Sequence, residues 1–284
     1  MDHELAADQR VDLALIDALL QEDVGSGDLT ASILAEDRLA RATVKTREAM
    51  VLCGRHWFDT VFKRLDPRIR IEWIQREGAS IPAGATLCTL EGPARALLTG
   101  ERSALNLLQT LSGTATLSRR YAEAVQESPL RILDTRKTIP GLRLAQKYAV
   151  KIGGCHNHRI GLFDGILIKE NHIAALGSIT KALEAARQIN PGVMLEIEVE
   201  NLDELEEALD AGATRIMLDE FSDEAIVKAV SLTKGRAEIE VSGNIQLEDL
   251  PRLAQLGVDY VSIGALTKNV KAIDLSMRVE LEPA

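Results

Sequence analysis

The chain has 284 residues, 46% of them hydrophobic and 27% charged, and a net charge of −10. That balance describes a soluble globular protein of about two domains and excludes a disordered or fibrous chain. An acidic chain with 3% aromatic residues suits neither a phosphate backbone nor stacked bases, so no nucleic-acid partner is expected. No run of 18 apolar residues occurs, and the polar start MDHELAADQR lacks the basic and apolar regions of a signal peptide; neither membrane nor secretion is expected. Cys53, Cys88 and Cys155, with no C-x-x-C spacing, read as reduced thiols of a cytoplasmic protein.

Residues 9–22 predict a helix with Leu13, Ile16, Leu19 and Leu20 on one stripe, ending at Gly25-Ser26-Gly27. That G-x-G follows no strand and so is not a dinucleotide loop; Asp28 is expected to cap a new helix instead. Residues 39–53 and 69–75 predict strands, and the Gly and Pro residues between 78 and 93 predict short β elements between turns. A helix is expected after Thr99, with Leu105, Leu108 and Leu111 buried and Gly113 as its stop. The first ~110 residues therefore form a mixed α and β unit.

From residue 130 the texture changes. Apolar runs that close on polar or small residues occur at 130–137, 165–171, 194–200, 214–220, 237–244 and 260–265. Amphipathic stretches separate most of them, the clearest at 202–211, with Asn201 as N-cap and Gly212 just past its end. The runs end near 169, 198, 219, 242 and 264, at intervals of 29, 21, 23 and 22 residues. This is the beat of β-α units in a parallel sheet with right-handed crossovers, and six such strands favour a barrel of the TIM type over an open sheet. In such barrels the chemistry sits where the strands end.

Charge is unevenly placed along the chain. Residues 131–169 hold eight Lys and Arg against Asp134 and Asp164, so this window carries +6 and the remainder −16. Arg136 and Lys137 follow a strand end, Lys169 closes the apolar run FDGILI, and Gly153-Gly154 leads into the donor-rich Cys155-His156-Asn157-His158-Arg159. Such a cluster suits a ligand with several negative charges, because arginine forks match carboxylates and phosphates. The next strand ends are acidic: Glu196, Glu198 and Glu200 alternate onto one face, and Asp219-Glu220 ends the following run. These acids can pair with the basic cluster and, compatibly with that, bind Mg²⁺ through substrate or stabilise a cationic transition state. Ser242-Gly243-Asn244 and Gly264-Ala265 close the last two strands with small residues that let backbone N–H groups approach a phosphate.

With these residues in view, the sequence closely resembles the quinolinate phosphoribosyltransferases. The matching blocks are EDVGSGDLT at 22–30, GERSALNLLQTLSGTAT at 100–116, the long segment from DTRK to ENHI at 134–173, EIEVEN at 196–201, IMLDEF at 216–221, VSGNI at 241–245 and VSIGALT at 261–267. The resemblance implies an α/β protein. Residues 1–113 would form an N-terminal α/β sandwich, 114–270 an incomplete TIM-like α/β barrel, and 271–284 a segment packing back on the N-terminal domain. It implies an enzyme that joins quinolinate to phosphoribosyl pyrophosphate with Mg²⁺, giving nicotinate mononucleotide, pyrophosphate and CO₂ in de novo NAD synthesis. A homodimer or a higher assembly of dimers is also implied.

By motif position, Arg136, His158, Arg159 and Lys169 would hold the two quinolinate carboxylates, and Arg102 would reach the neighbouring subunit's site. Lys137 would contact phosphoribosyl pyrophosphate, with Glu198 and Asp219 beside the ribose and its metal. Ser242, Gly243, Asn244, Gly264 and Ala265 would cradle the 5′-phosphate. The local reading puts Arg102 in the first turn of its helix, where a cation opposes the helix dipole and is better explained by a distant anion.

Three alternatives stay open on the residues: a relative acting on another pyridine carboxylate such as nicotinate, a Schiff-base aldolase using Lys169, and a non-catalytic scaffold on the same fold. The buried charges argue against the scaffold, since they would cost stability without return. The ligands of Cys155-His156-Asn157-His158 are too crowded for zinc. Trp57 and Trp73 read as core, and Asp203-Glu204 with Glu206-Glu207 as a solvated helix face.

Overall fold

In the computed structural model, residues 11–281 are described. They divide into two units: residues up to 119 with 139–154 and 269 onward, and residues 120–138 with 155–268.

Strict alternation builds the first unit. In β1 (Leu39–Thr46) every second residue is buried: Ala40, Ala42, Val44 and Thr46. Strand β1 lies between β12 (Leu275–Leu281) and β5 (Thr86–Pro93), and β3 (Arg70–Trp73) completes an antiparallel sheet in the order β12-β1-β5-β3. The register pairs Thr43 with Arg278 on one side and with Thr89 on the other. Two further short strands, β2 (Met50–Val51) and β4 (Ser80–Ile81), pair with each other. The residues expected as one strand over 39–53 are thus two, divided before Met50.

Helix α1 (Leu13–Val24) is capped by Asp12, whose side chain accepts from the N–H groups of Ala14 and Leu15. It begins later than residue 9; residues 9 and 10 lie outside the described range. Asp28 accepts from Ala31 N–H, but the result is one 3₁₀ turn at Ala31–Ile33 in place of the expected helix. Helix α2 (Arg55–Leu65) buries Trp57, Phe58, Val61 and Phe62, the i, i+1, i+4, i+5 stripe of an amphipathic helix. Phe58 meets Phe62 and Trp73 edge-on, with ring centroids 5.0 and 5.4 Å apart. Trp73 itself is half-buried and donates its indole N–H to Asp59.

Helix α3 (Ala94–Ala124) corrects the expected stop at Gly113: it is one 31-residue helix that runs through that glycine. Helix propensity loses about 1 kcal/mol at one glycine, too little to break a helix whose Leu105, Leu108 and Leu111 are buried. Glycine is required there by close approach. A Cβ on residue 113 would lie 2.3 Å from the Lys271 carbonyl oxygen.

The second unit is a six-stranded sheet in which every pairing is parallel, in the order β6-β11-β10-β9-β8-β7. The strands are β6 (Arg131–Leu133), β7 (Gly165–Ile168), β8 (Met194–Val199), β9 (Arg215–Asp219), β10 (Glu238–Ser242) and β11 (Tyr260–Ser262). Helix α4 (Arg143–Gly153), which follows β6 in the chain, belongs to the first unit. The crossovers of the second unit carry α5 (Glu170–Leu176), α6 (Ile179–Ile189), α7 (Leu202–Asp210), α8 (Asp223–Thr233) and the short α9 (Leu250–Leu253), and α10 (Ala265–Lys268) follows β11. Ser178, Asn201 and Ser222 cap α6, α7 and α8 through side-chain oxygens, Ser178 in the turn after α5 and the other two in short strand-to-helix loops. Strands β6 and β7 are the two ends of the sheet and do not pair, so the barrel is incomplete.

Replacing Gly113 by Ala should cost about 1–3 kcal/mol, since the methyl group meets a backbone carbonyl that cannot rotate away. Gly192→Ala, where the nearest atom would be 3.6 Å away, is the control. Urea unfolding of both variants checks this; equal loss at the two positions would contradict it.

Candidate active site

Parity within the parallel sheet decides what meets at its centre. Ile168, Ile197, Ile216, Leu218, Ile239, Val241 and Val261 fall on one side of the pleat and are all buried. The alternate residues, Leu167, Glu196 and Glu198, Arg215, Met217 and Asp219, Glu240 and Ser242, and Tyr260 and Ser262, share the other side. At the C-terminal ends of the strands this second set opens into a cavity of about 490 Å³. Its walls hold Arg136, Lys137, His158, Arg159, Lys169, Glu198, Asp219, Ser242, Gly243 and Asn244, residues singled out from the sequence.

The basic side is built on the loop after α4. His156 donates its N–H to Ile132 and accepts from Asp134 N–H, extending the sheet beyond β6. The buried Asp134 carboxylate accepts from the Asn157 amide at 2.6 Å and from His158 N–H at 2.9 Å. The Asp164 carboxylate accepts from the N–H groups of Ile160 and Gly161, both at 2.8 Å. Arg159 donates to the Gly165 carbonyl at the start of β7. The segment therefore touches both unpaired ends of the sheet. Burial, reinforced by the nearby Arg136, pushes the Arg159 guanidinium below its usual pKa. Crowded, partly desolvated cations of this kind favour an anion.

The acidic side faces it. Glu198 accepts from Lys169 Nζ at 2.5 Å. Asp219 is half-buried, and among the described residues its carboxylate has no hydrogen-bond or ion-pair partner. Glu220, with φ 54°, holds the left-handed conformation, which costs a side-chain-bearing residue about 1–3 kcal/mol and is typical of functional sites. Glu200 departs from the expectation of a shared face: β8 ends at Val199, so Glu200 is exposed and its N–H is held by Glu204.

Beneath the cavity lies a buried charged layer. Arg215 donates to Glu196 at 3.2 Å and to Glu240 at 2.8 Å, and its guanidinium stacks over the Tyr260 ring at 4.2 Å. His158 Nε2 is 2.7 Å from Glu196. Burial works against the Glu196 carboxylate, yet His158 and Arg215 hold its pKa below the usual range. Burial and the neighbouring Glu196 charge instead push Glu240 up to about 7. Two acids around one arginine thus divide into a carboxylate and a readily protonated partner.

Two residues expected at the phosphate, Gly264 and Ala265, are not among those lining the cavity, and Arg102, expected at the site of a neighbouring subunit, lies outside the cavity. Arg102 is exposed in the third turn of α3, not the first, and lines a second cavity with Asp23, Asn106 and Leu142. Gly264 packs against Lys137, where a Cβ would lie 2.9 Å from the lysine Cδ. Sequence reasoning missed Thr135, Leu167, Met217, Ser262 and Lys268 among the lining residues. Leu167 and Met217 lie two positions before Lys169 and Asp219, so period two would have found them.

An incomplete parallel barrel with a polyanion cavity at its strand ends defines the class, a barrel enzyme acting on a multiply charged anion. Comparison makes it specific. Residues 28–112 match the N-terminal domain and residues 114–278 the C-terminal domain of quinolinate phosphoribosyl transferase. The chain is 41% identical over 268 residues to a probable carboxylating nicotinate-nucleotide pyrophosphorylase of Bacillus subtilis, covering 94% of this chain and 93% of that one. It is 39% identical to the chloroplastic enzyme of that name from Arabidopsis thaliana, over 95% of this chain and 83% of the relative. The solved nicotinate-nucleotide pyrophosphorylase of Francisella tularensis superposes with a TM-score of 0.91 at 45% identity, covering 96% and 99% of the two chains. The chain belongs to the quinolinate phosphoribosyl transferase family. Among the described residues no helix is long and apolar enough to cross a membrane.

Glu240 sets a pH dependence. Its folded pKa of about 7 exceeds the ordinary 4.5, so its contribution to stability is fully present below pH 4.5 and is lost as pH rises through about 7. Glu240→Gln should flatten that loss by on the order of 1–3 kcal/mol between pH 5 and 8. Urea midpoints at the two pH values check it; an undiminished loss in the variant would contradict it.

Proposed function

We propose that this chain transfers the phosphoribosyl group of phosphoribosyl pyrophosphate to the ring nitrogen of quinolinate and releases the adjacent carboxylate as CO₂. The products are nicotinate mononucleotide, pyrophosphate and CO₂, a step of de novo NAD synthesis. One observation carries this reading beside the family: Arg136, Arg159 and Lys169 share one cavity with Glu198 and Asp219. The cations suit two adjacent carboxylates, and the acids suit a ribose that gains positive charge as its pyrophosphate leaves.

In this reading the quinolinate carboxylates lie against Arg136, Arg159 and Lys169, with His158 forming part of the same wall. The ring nitrogen attacks the anomeric carbon while the bond to pyrophosphate breaks. Glu198 and Asp219 stabilise the oxocarbenium-like transition state. Lys137 offsets the charge of the departing pyrophosphate, and Ser242, Gly243 and Asn244 hold the 5′-phosphate, with Gly264 and Ala265 beyond them. The new pyridinium then accepts the electron pair as the C–C bond to the neighbouring carboxylate breaks, and the ring carbon takes a proton. Positioning and electrostatics provide the catalysis, without a covalent enzyme intermediate. The Schiff-base alternative needs Lys169 as a free amine, whereas Lys169 is ion-paired with Glu198.

Mg²⁺ fits the donors present. Asp219 offers an unengaged carboxylate, and Lys169 occupies one oxygen of Glu198. These two residues would hold the ion through substrate oxygens, where it would neutralise pyrophosphate charge. The working form is a cytoplasmic homodimer, or an assembly of dimers, in which Arg102 completes the site of the neighbouring copy.

The first assay incubates the protein with phosphoribosyl pyrophosphate, Mg²⁺ and either quinolinate or nicotinate, following nicotinate mononucleotide and CO₂. Turnover of quinolinate alone is expected; a folded protein inert toward quinolinate would reject the reading. Glu198→Ala should lower kcat by about 10²–10³, the range for losing one group aimed at transition-state charge, while quinolinate still binds. Arg102→Ala and Arg136→Ala, each inactive alone, should give one working site per mixed dimer. Verified heterodimers without activity would remove Arg102 from the shared site.

A further inference from the structure

The buried layer beneath the cavity contains charged groups that the reaction does not use directly, and His158 joins that layer to the cavity wall. Its two ring nitrogens face different partners. The Arg159 backbone N–H lies 2.7 Å from Nδ1 and can only donate, so Nδ1 presents its lone pair. Nε2, 2.7 Å from a Glu196 carboxylate oxygen, therefore carries the hydrogen and donates it. The second Glu196 oxygen accepts from Arg215 at 3.2 Å, and Arg215 is itself anchored on Glu240.

The ligand atoms of His158, Glu196 and Glu240 lie within 4.8 Å of one another, a spacing that could hold a cation. The Arg215 guanidinium already supplies the positive charge between the two acids, so a second cation there would meet like charge. The cluster is better read as a support for the residue above it.

We propose that Glu196, braced by Arg215, is a positioning residue: it holds the His158 ring as the Nε2–H tautomer, and His158 in turn fixes the backbone from which Arg159 enters the cavity. His158 then serves the anion by placing Arg159 and gives it no ring hydrogen of its own. This departs from the expectation that His158 grips a carboxylate directly. Only the identity of the anion rests on the reaction proposed above.

Two measurements test it. The chain has five histidines, so uniform ¹⁵N-histidine labelling gives few ring signals, and His158→Gln assigns the one needed. The wild-type spectrum should show His158 with a protonated Nε2 and an unprotonated Nδ1. A ring protonated at Nδ1, alone or together with Nε2, would overturn the proposal without any variant or substrate. In Glu196→Gln the Arg159 N–H still keeps the hydrogen on Nε2, but a neutral amide holds that hydrogen less strongly than a carboxylate, so the ring should be placed less firmly. The KM for quinolinate should rise about tenfold, the lower end of what removing such an outer partner costs, with kcat and the KM for phosphoribosyl pyrophosphate within about twofold. An unchanged quinolinate KM in folded Glu196→Gln would also overturn it. Where that variant does not fold, Arg215→Lys, which keeps the charge but loses the two-pronged hold, should shift the same KM several-fold, and no shift counts against the proposal. A wild-type protein with the Nε2–H ring but no quinolinate turnover would support the positioning role and reject the reaction.

Discussion

The site depends on the register of one parallel sheet. Strands in register place residues of equal parity on the same side, so a single choice decides whether every polar residue of β7 through β11 meets in the interior or faces the helices. The apolar set, from Ile168 to Val261, drives that choice because its burial under the crossover helices favours one side only. Lys169, Glu198, Asp219 and Ser242 then converge at the strand ends as a consequence. A slip of one residue would send the carboxylates under the helices and the isoleucines into the cavity.

Convergence creates an electrostatic problem whose solution resembles catalytic preparation. Three glutamates lie buried in this interior. Glu196 and Glu240 share Arg215, and Glu198 faces Lys169. Since one arginine cannot balance two carboxylates in a poorly solvated layer, Glu240 moves toward the protonated form. Higher in the cavity the imbalance has the opposite sign. Arg159 and Arg136 press on each other, and a bound anion would offset that repulsion better than water does. The protein holds these costs in place before substrate arrives, which is the preorganisation that electrostatic catalysis requires.

Much of this was legible in the residues. The spacing of strand ends announced the parallel units, Asn201 announced the start of α7, and the +6 window announced the anion. Long-range contacts were not legible. Nothing local to Gly113 says that the backbone at Lys271 crosses it, so a helix stop was the natural reading of a glycine that serves close packing. Arg215 shows the same limit. It opens its strand far from the basic cluster in sequence, and only the sheet register brings it between Glu196 and Glu240. Family resemblance supplied what spacing could not, above all the grouping of Arg136, His158, Arg159 and Lys169 around one ligand. The structure adds that they do not share one set of partners, because Lys169 is tied to Glu198 and His158 to Glu196.

A cavity charged for two adjacent carboxylates should prefer quinolinate to a ring with one. Calorimetric titration of the wild-type protein with quinolinate, and separately with nicotinate, tests it most directly. Quinolinate should bind at least about tenfold more tightly, the worth of one further charge-assisted contact, and added salt should narrow the difference. Equal affinity for the two acids, or a preference for nicotinate, would contradict it.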